Sequence, residues 1–241
     1  MKRIIIFSVF ASWILTSCSP VLYAPTTQVT PLHEKKGAAD IGGSAGMSGY
    51  EAHINYAISN HIAAGVQGRI AGFPGKSNDE MTGTPDVNNT FGANVTWFNT
   101  VPSNPALRYG ITGGINAGHA ADKYNQYAES HNSTADHRQF YIQPAYGYFS
   151  KNFEAIASCN LSSVTLTNVQ SDWADLSNQS SLSFLHATPA ITLKGGSKTI
   201  KAFVQSGYTF TNNAKAYSDV TSFWGGNVNL SAGVQLQLGR Q

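Results

Sequence analysis

Residues 227–239 read NVNLSAGVQLQLG and alternate between apolar and polar side chains without a break. The apolar members are Val228, Leu230, Ala232, Val234, Leu236 and Leu238, and between them lie Asn227, Asn229, Ser231, Gly233, Gln235 and Gln237. A period of two residues places these two sets on opposite faces of a β-strand. The stretch therefore predicts a strand with one apolar face and one face of small, uncharged polar groups.

The same alternation recurs along the chain from Gly37 onward, in short runs separated by turn residues, and no stretch sustains a helical period. The predicted strands are residues 38–47, 50–59, 62–73, 89–99, 107–118, 137–149, 153–162, 182–193, 199–210 and 227–239. Most have about the 9–11 residues that a tilted strand needs to cross a bilayer. The sequence predicts an all-β fold, a closed antiparallel up-and-down β-barrel of about ten strands.

The connections between the predicted strands differ in length at the two ends of the barrel. Short turns fall at residues 60, 100–106, 151–152 and 194–198, and long polar loops fall at 74–88, 119–136, 169–180 and 211–226. The long loops carry Asp79, Glu80, Asp86, Asp122, Glu129, Asp136, Asp172, Asp175 and Asp219. Short turns at one end and long loops at the other are typical of transmembrane barrels. An even number of strands places both chain ends at the short-turn end, where a lipid anchor in the inner leaflet would sit.

Alternation alone does not separate a membrane barrel from a soluble one, whose apolar face lies inside. The polar face decides between them, because it is built of Asn, Gln, Thr and Gly with few ions. The charges within strand cores are Asp40, Glu51, Arg69, Arg108, Glu154 and Lys201, and by parity all fall on the polar face. A charge on a lipid face costs about 2–4 kcal/mol at mid-bilayer. The pattern therefore favours hydrocarbon outside and a narrow polar interior.

Some of these charges are expected to meet inside the barrel. Apolar parity across the second turn requires a loop with an odd number of residues, and a three-residue loop at 59–61 places Glu51 directly opposite Arg69. We expect an ion pair between them in the lumen. A second cluster near the basic short-turn end would comprise Arg108, Glu154 and Lys201. Such a network would plug the barrel and have a structural role.

Two irregularities interrupt the strand pattern. Pro144 and Pro189 fall inside strands of a closed barrel, where each is expected to mark a bulge. Beyond Ser162 the parity of the seventh strand fails, since Val164 and Leu166 would point inward. Either a bulge resets the strand, or this part rises above the membrane.

The N-terminus has the features of a targeting segment. Lys2 and Arg3 precede the apolar run 4–15, which is shorter than the roughly 20 residues of a spanning helix. The run ends in Leu15-Thr16-Ser17-Cys18, which resembles a bacterial lipobox. The resemblance implies a signal peptide at 1–17, a lipidated Cys18 with an extended tether at 18–37, and a barrel domain at 38–241.

Loss of the signal peptide would remove Lys2 and Arg3 and leave 13 basic residues against 13 acidic ones. This balance gives no reason to expect a nucleic-acid partner. Only Cys159 would then remain as a free thiol, so an intramolecular disulfide is not expected. Cys159 alternates with Ala157 and Leu161 and is expected to face lipid as a small apolar residue.

The lipobox, the Pro-rich tether and the Gly-rich hairpins together resemble small outer-membrane β-barrel lipoproteins of the Bacteroidota type, similar to OmpA/OmpX-like barrels. Pro31-Leu32 and Glu34-Lys35-Lys36-Gly37, just before the first strand, are part of this likeness. The resemblance implies a location in the outer membrane with the long loops facing outward. The implied partner is membrane lipid, through the acyl chains of Cys18 and the outer face of the barrel. It implies neither an activity nor a protein partner.

One region holds residue types that occur in catalytic sites. These are His119, Asp122, Glu129, His131, Asp136 and His137. They lack the H-x-x-x-H spacing of a metal site, and no catalytic, metal or cofactor residues are assigned. We expect a non-enzymatic, lipid-anchored outer-membrane barrel with a structural or surface-interaction role. The alternatives are a soluble periplasmic barrel lipoprotein that binds an apolar ligand, and an omptin-like hydrolase with Asp and His facing each other over the barrel mouth.

Overall fold

The computed structural model describes residues 21–71, 87–126, 129–172, 176–221 and 227–239. The signal peptide, Cys18, most of the loop at 74–88, Asp175 and the side chains of Glu129 and His131 lie outside the described residues. The strands are β1 (Ala39–Gly46), β2 (Gly49–Ala57), β3 (Ile62–Ala71), β4 (Val87–Val101), β5 (Asn104–Gln126), β6 (Glu129–Phe149), β7 (Phe153–Ser171), β8 (Ser181–Gly196), β9 (Ile200–Tyr208), β10 (Phe210–Thr211) and β11 (Val228–Leu238). One short helix, α1 (Ala214–Ser218), precedes β11.

The strands form one closed antiparallel sheet. Each strand from β1 to β8 pairs with the next along the chain, and β11 pairs with both β9 and β1, where Ile41 lies opposite Leu236. The two-residue strand β10 follows Thr209 and continues the line of β9 along β8. Within the described residues the barrel has ten strands, with β10 as a short extension. The predicted closed, antiparallel, up-and-down barrel is therefore confirmed.

The last strand has the predicted orientation. Leu230, Val234 and Leu238 are exposed on the outside of the barrel, whereas Asn229 and Gln235 are buried inside it. Other exposed outward side chains form a belt around the barrel and include Ile54, Val66, Val95, Ile111, Ile142, Leu161, Ile191 and Val204. The inner surface at the same level is polar and includes Asn55, Thr96, Asn116, Gln143 and Gln205. The outer surface is therefore apolar and the lumen polar.

This polarity reverses toward the long-loop end, as the strand β8 shows. Its outward positions are Ser181 and Ser183, followed by Leu185, Ala187, Pro189, Ile191 and Leu193. Its inward positions are Leu182 and Phe184, followed by His186, Thr188, Ala190, Thr192 and Lys194. At its long-loop end, β8 is thus apolar inside and polar outside. Along the rest of its length it is polar inside and apolar outside. The polarity of the two faces changes between Phe184 and Leu185.

The long-loop end carries its own apolar core, which we call the extension core. It consists of Leu22, Tyr23, Ala120, Ala135, Val164, Leu166, Val169, Leu176, Leu182, Phe184, Ala216, Tyr217 and Val220. Val164 and Leu166 do point inward, without a reset of the strand, because they belong to this core. The helix α1 contributes Ala216 and Tyr217 and is capped by the side chain of Asn213, which accepts a hydrogen bond from Ala216 N at 3.1 Å. The described chain contains no helix long and apolar enough to cross a bilayer.

Two predictions about the strands are wrong. The stretch 119–136 is mostly a hairpin rather than a polar loop, because β5 and β6 stay paired from His119–Asp136 out to Gln126–Glu129. Pro144 and Pro189 do not mark bulges. The register between β6 and β7 is the same on both sides of Pro144, and Pro189 pairs in register with Cys159. Each proline therefore lacks one backbone hydrogen-bond donor in the sheet, but no extra residue is inserted beside it. A register shift lies instead between Thr134 and Asp136.

Candidate functional site

The lumen is occupied by the chain's own N-terminal segment. Residues 21–33, which we call the plug segment, are almost all buried, and Leu22 and His33 are 0% exposed. The Pro-rich sequence predicts an extended tether here, and the described part of that tether runs through the inside of the barrel. Pro25 and Pro31 suit an extended chain that forms no ladder, because each lacks a backbone donor. The remaining polar backbone groups therefore need partners on the barrel wall.

At the long-loop end the plug segment enters the extension core. Val21 N donates to the carboxylate of Asp122 at 2.8 Å, and Leu22 N donates to Val220 O at 2.9 Å. The ring of Tyr23 packs edge-on against Phe184, with ring centroids 5.6 Å apart. This end of the segment is thus held by three separate parts of the fold.

In the middle of the barrel, amide side chains of the wall bind the segment's backbone, and a hydroxyl group binds the side chain of Gln28. Gln28 N donates to Gln205 Oε1 at 2.8 Å, and Gln205 Nε2 returns a hydrogen bond to Gln28 O at 2.9 Å. Ser158 Oγ donates to Gln28 Oε1 at 2.7 Å, and Gln143 Nε2 donates to Val29 O at 2.9 Å. The wall residues come from β6, β7 and β9, so several strands hold the segment at this level.

At the short-turn end the segment leaves the barrel between charged groups. Arg108 donates to Leu32 O at 3.2 Å, and its guanidinium lies 3.7 Å from the carboxylate of Glu34. His33 Nδ1 lies 3.7 Å from the carboxylate of Asp40. Beyond this point Lys36 N donates to Asn60 Oδ1 at 3.0 Å, at the turn between β2 and β3. The segment therefore runs from the short-turn mouth to the long-loop end.

The predicted partners Glu51 and Arg69 lie directly opposite each other in the pairing of β2 with β3. Both are engaged by the plug segment. The two carboxylate oxygens of Glu51 accept from Thr27 N at 2.9 Å, and the guanidinium of Arg69 donates to Ala24 O. Arg69 also donates to Asn88 Oδ1 at 2.8 Å. Glu51 and Arg69 thus bind the segment at two points, Glu51 as a hydrogen-bond acceptor and Arg69 as a donor.

The second predicted cluster lies at the short-turn end of the lumen. Glu154 is fully buried, and its carboxylate lies 3.8 Å from both Lys201 Nζ and Lys194 Nζ. Gln237 Nε2 donates to the same carboxylate at 3.2 Å. Arg108 lies 3.7 Å from Glu34 and lines the same short-turn vestibule as Lys201. The sequence prediction missed Lys194 because it was placed in a turn, whereas it continues the inward face of β8.

The space left between the plug segment and the wall is small. A cavity of about 20 Å³ lies beside Thr27, Gln28, His53 and Gln205. A water molecule needs roughly 10–15 Å³ of such space, so this cavity holds about one water. At the short-turn mouth a wider vestibule of about 410 Å³ opens between Arg108, Phe149 and Lys198. The lumen is therefore open at the short-turn mouth, and its middle is filled by the plug segment.

The histidine and aspartate cluster is divided between the two faces of the wall. His119 Nδ1 lies 2.8 Å from Asp136 Oδ1 on the outside, where Asn168 Nδ2 also donates to Asp136 Oδ2 at 2.7 Å. These hydrogen bonds, that from Asn168 first, hold the pKa of Asp136 below its usual range. His137 faces the interior, and Asp122 is engaged by the plug segment.

Because the cluster is divided in this way, its described members do not face one another across the mouth, as an omptin-like mechanism would require. Among the described residues, no three His, Cys, Asp or Glu side chains converge as a metal site.

The plug segment is the feature that sequence reasoning missed, although its composition matches its surroundings. Residues 26–30, Thr-Thr-Gln-Val-Thr, are as polar and uncharged as the lumen that encloses them. Leu22 and Tyr23 are apolar, as is the extension core. The inward Val164 and Leu166 were a further signal, because an apolar patch at a barrel mouth needs something to cover it.

These features define a closed, ten-stranded β-barrel with an apolar outer belt and a lumen filled by its own N-terminal segment. No protein-family model matches the chain, and no curated protein matches it. Similar solved structures include the KdgM porin in complex with disordered oligogalacturonate, with a TM-score of 0.36 and 10% identity over 83% of this chain and 98% of the porin. The NanC porin has a TM-score of 0.36 and 9% identity, over 82% of this chain and 97% of its own.

A loop-deletion mutant of OmpT, an outer membrane protein of Vibrio cholerae, has a TM-score of 0.26 and 9% identity, over 83% of this chain and 97% of its own. At these TM-scores the likenesses assign neither a location nor a role.

Proposed function

We propose that the chain is a lipid-anchored outer-membrane β-barrel with a non-enzymatic, structural or surface-interaction role. The observation that carries this proposal is the reversal of polarity along the strands. The belt has apolar groups outside and polar groups inside, which suits hydrocarbon around a wet lumen. The extension has polar groups outside and an apolar core, which suits water around it. The change between Phe184 and Leu185 would mark the bilayer surface.

The dimensions of the belt fit this proposal. From Leu185 to Leu193 the outward face of β8 is apolar, which is about 26 Å along the strand at roughly 3.3 Å per residue. A strand tilt of about 35–45° makes the vertical rise roughly 19–22 Å, slightly less than the apolar band of about 25 Å in transmembrane barrels. On a soluble monomer the largest exposed apolar patch is usually a few hundred Å². A belt that encircles the whole barrel needs hydrocarbon to cover it.

The filled lumen distinguishes this barrel from an open channel. The plug segment is hydrogen-bonded to the wall through Gln28, Val29 and Leu32, and the cavity beside it is about 20 Å³. A cavity of this size, about one water molecule, is too small for a hydrated ion. We therefore expect a barrel that spans the membrane without conducting, and whose extension and loops are the parts available to other molecules.

The two alternative functions fit the geometry less well. A soluble barrel that carries an apolar ligand needs an apolar cavity, whereas this lumen is polar and occupied. A hydrolase at the barrel mouth needs Asp and His groups that converge on the lumen. Here His119 and Asp136 meet on the outside of the wall, whereas His137 and Asp122 point inside, where Asp122 accepts a hydrogen bond from the plug segment.

Heat-modifiable migration in SDS gels tests the membrane proposal. We expect the protein extracted in mild detergent to migrate as a folded species until it is boiled, and planar bilayers containing it to show no steady conductance. The Cys18→Ala variant should still require detergent, because the belt and not the anchor sets solubility. A Cys18→Ala variant that is monomeric in detergent-free buffer would contradict the proposal.

A further inference from the structure

The vestibule at the short-turn mouth has the size of a small-molecule site. Its volume is about 410 Å³, and such sites usually measure about 300–1,000 Å³. Its inner end is closed by the plug segment, where Leu32 O accepts a hydrogen bond from Arg108. The side chains that line it include Glu34, Arg108, Phe149, Lys151, Lys198 and Lys201. The vestibule is therefore a chamber with walls, a floor and one open side.

The charges around this chamber are strongly unequal. Among the described residues that line it, four side chains are cationic and one, that of Glu34, is a carboxylate. Beside the chamber, the single carboxylate of Glu154 lies 3.8 Å from the ammonium groups of both Lys194 and Lys201. The described cations therefore outnumber the described carboxylates whether or not this buried group is counted. A concave surface with an excess of one charge concentrates ions of the opposite charge.

Two of the four cations are held in fixed positions. Arg108 and Lys201 are 7% and 1% exposed. The Arg108 guanidinium lies 4.6 Å from the centroid of the Phe149 ring. Lys201 Nζ donates to Lys151 O at 3.0 Å. Because these two groups are already oriented, they lose little conformational freedom when an anion binds.

The other two cations, Lys151 and Lys198, are exposed at the rim. They lie on the turns between β6 and β7 and between β8 and β9. An ammonium group offers three donors on a long, flexible side chain. The rim lysines can therefore turn toward an anion that the buried cations hold at the floor.

We propose that this vestibule is a binding site for a small, soluble anion that carries two or more phosphate charges. Phosphate oxygens accept strong, charge-assisted hydrogen bonds from guanidinium and ammonium groups. The Arg108 and Lys201 side chains face the lumen, whereas Tyr148 and Ile200, outward neighbours on β6 and β9, are exposed on the outer surface. A lipid headgroup around the barrel would lie on that outer side, so the ligand enters from the water at the mouth. This site goes beyond the proposed membrane function and does not depend on it.

Isothermal titration calorimetry with inorganic pyrophosphate tests the proposal. The full chain is purified in mild detergent and titrated at an ionic strength held constant with sodium chloride. We expect one saturable site per chain. The Lys151→Gln/Lys198→Gln variant should bind about tenfold or more weakly, because each rim lysine contributes a charge-assisted hydrogen bond. Arg108 and Lys201 are left unchanged, because their loss would disturb the wall itself.

The matched control is Lys35→Gln/Lys36→Gln, which removes the same charge from described residues outside the vestibule lining. It should change the affinity by less than about twofold, since exposed charges at a distance are screened by salt. Glu34→Gln removes the one carboxylate of the lining and should strengthen binding several-fold, an effect that a merely destabilised variant would not show. Circular dichroism confirms that each variant is folded.

No saturable binding of pyrophosphate by the unsubstituted chain would overturn the proposal. Equal weakening in the two double variants would also overturn it, because net charge and not the vestibule would then attract the anion. Binding of a short-chain phosphatidylglycerol in place of pyrophosphate would contradict a soluble ligand. None of these results concerns the belt, so the membrane proposal would stand or fall separately by its gel migration.

Discussion

Replacing Ile191 with lysine places a charge inside the apolar belt, one outward position from its centre at Pro189. Ile191 is on the outward face of β8 and is 59% exposed, so in a bilayer its side chain meets hydrocarbon. A lysine near the midplane of a membrane barrel costs about 2–4 kcal/mol. This corresponds to roughly a 30- to 700-fold loss in the folding equilibrium constant. The matched control is Ser181→Lys, which is exposed on the same face of the same strand but in the extension.

The assay is denaturant unfolding of both variants in lipid vesicles, followed by the gel-mobility shift of the folded form. We expect Ile191→Lys to lower the free energy of unfolding by about 2–4 kcal/mol. Ser181→Lys should change it by less than about 0.5 kcal/mol, as surface substitutions usually do. Equal effects for the two variants would refute the assignment of the belt, because both residues would then meet the same solvent.

Three further predictions follow from the lumen and the extension. Deleting residues 21–33 removes the plug segment, and we expect steady conductance in planar bilayers where the full chain shows none; a deletion variant that is heat-modifiable but still closed would contradict this role. Glu154→Gln leaves two buried lysines without their carboxylate and should cost about 3–5 kcal/mol in denaturant unfolding, whereas the exposed control Lys198→Gln should cost less than about 0.5 kcal/mol. Because the pKa of Asp136 is lowered in the folded state, its contribution to stability is present above the ordinary carboxyl pKa and is lost as pH falls through the lowered value. Asp136→Asn should remove that part of the acid dependence of unfolding, and an unchanged pH profile would show that the hydrogen bonds at Asp136 do not matter.

The orientation of the barrel wall could be predicted from the sequence because it is a local property. Alternation in β11 fixes which residues share a face, and the scarcity of charge on either face favours lipid over water outside. The same logic places Glu51 opposite Arg69, since a turn of known length fixes the register between neighbouring strands. Such pairings depend on residues that are close in the sequence.

The plug segment could not be predicted in this way. It has no periodicity, and its partners lie far along the chain, as Gln28 and Gln205 do at a separation of 177 residues. The Thr-rich run 26–30 has the composition of a solvated tether. It lies inside the barrel instead, because the surrounding lumen is equally polar. The extra length of β5 and β6 could not be predicted for a related reason. Their inward residues there include the small Ala120 and Ala135 and the polar Asp122 and Ser133, which give no apolar pattern.

The most direct measurement is the environment of outward side chains along β8. Nitroxide labels at Ser181→Cys, Leu185→Cys and Ile191→Cys, in a Cys159→Ser background in vesicles, report access to dissolved oxygen and to a water-soluble nickel complex. We predict that the labels at 185 and 191 meet oxygen and exclude nickel, and that the label at 181 does the reverse. Nickel access at all three positions would show that the belt faces water and would contradict the account.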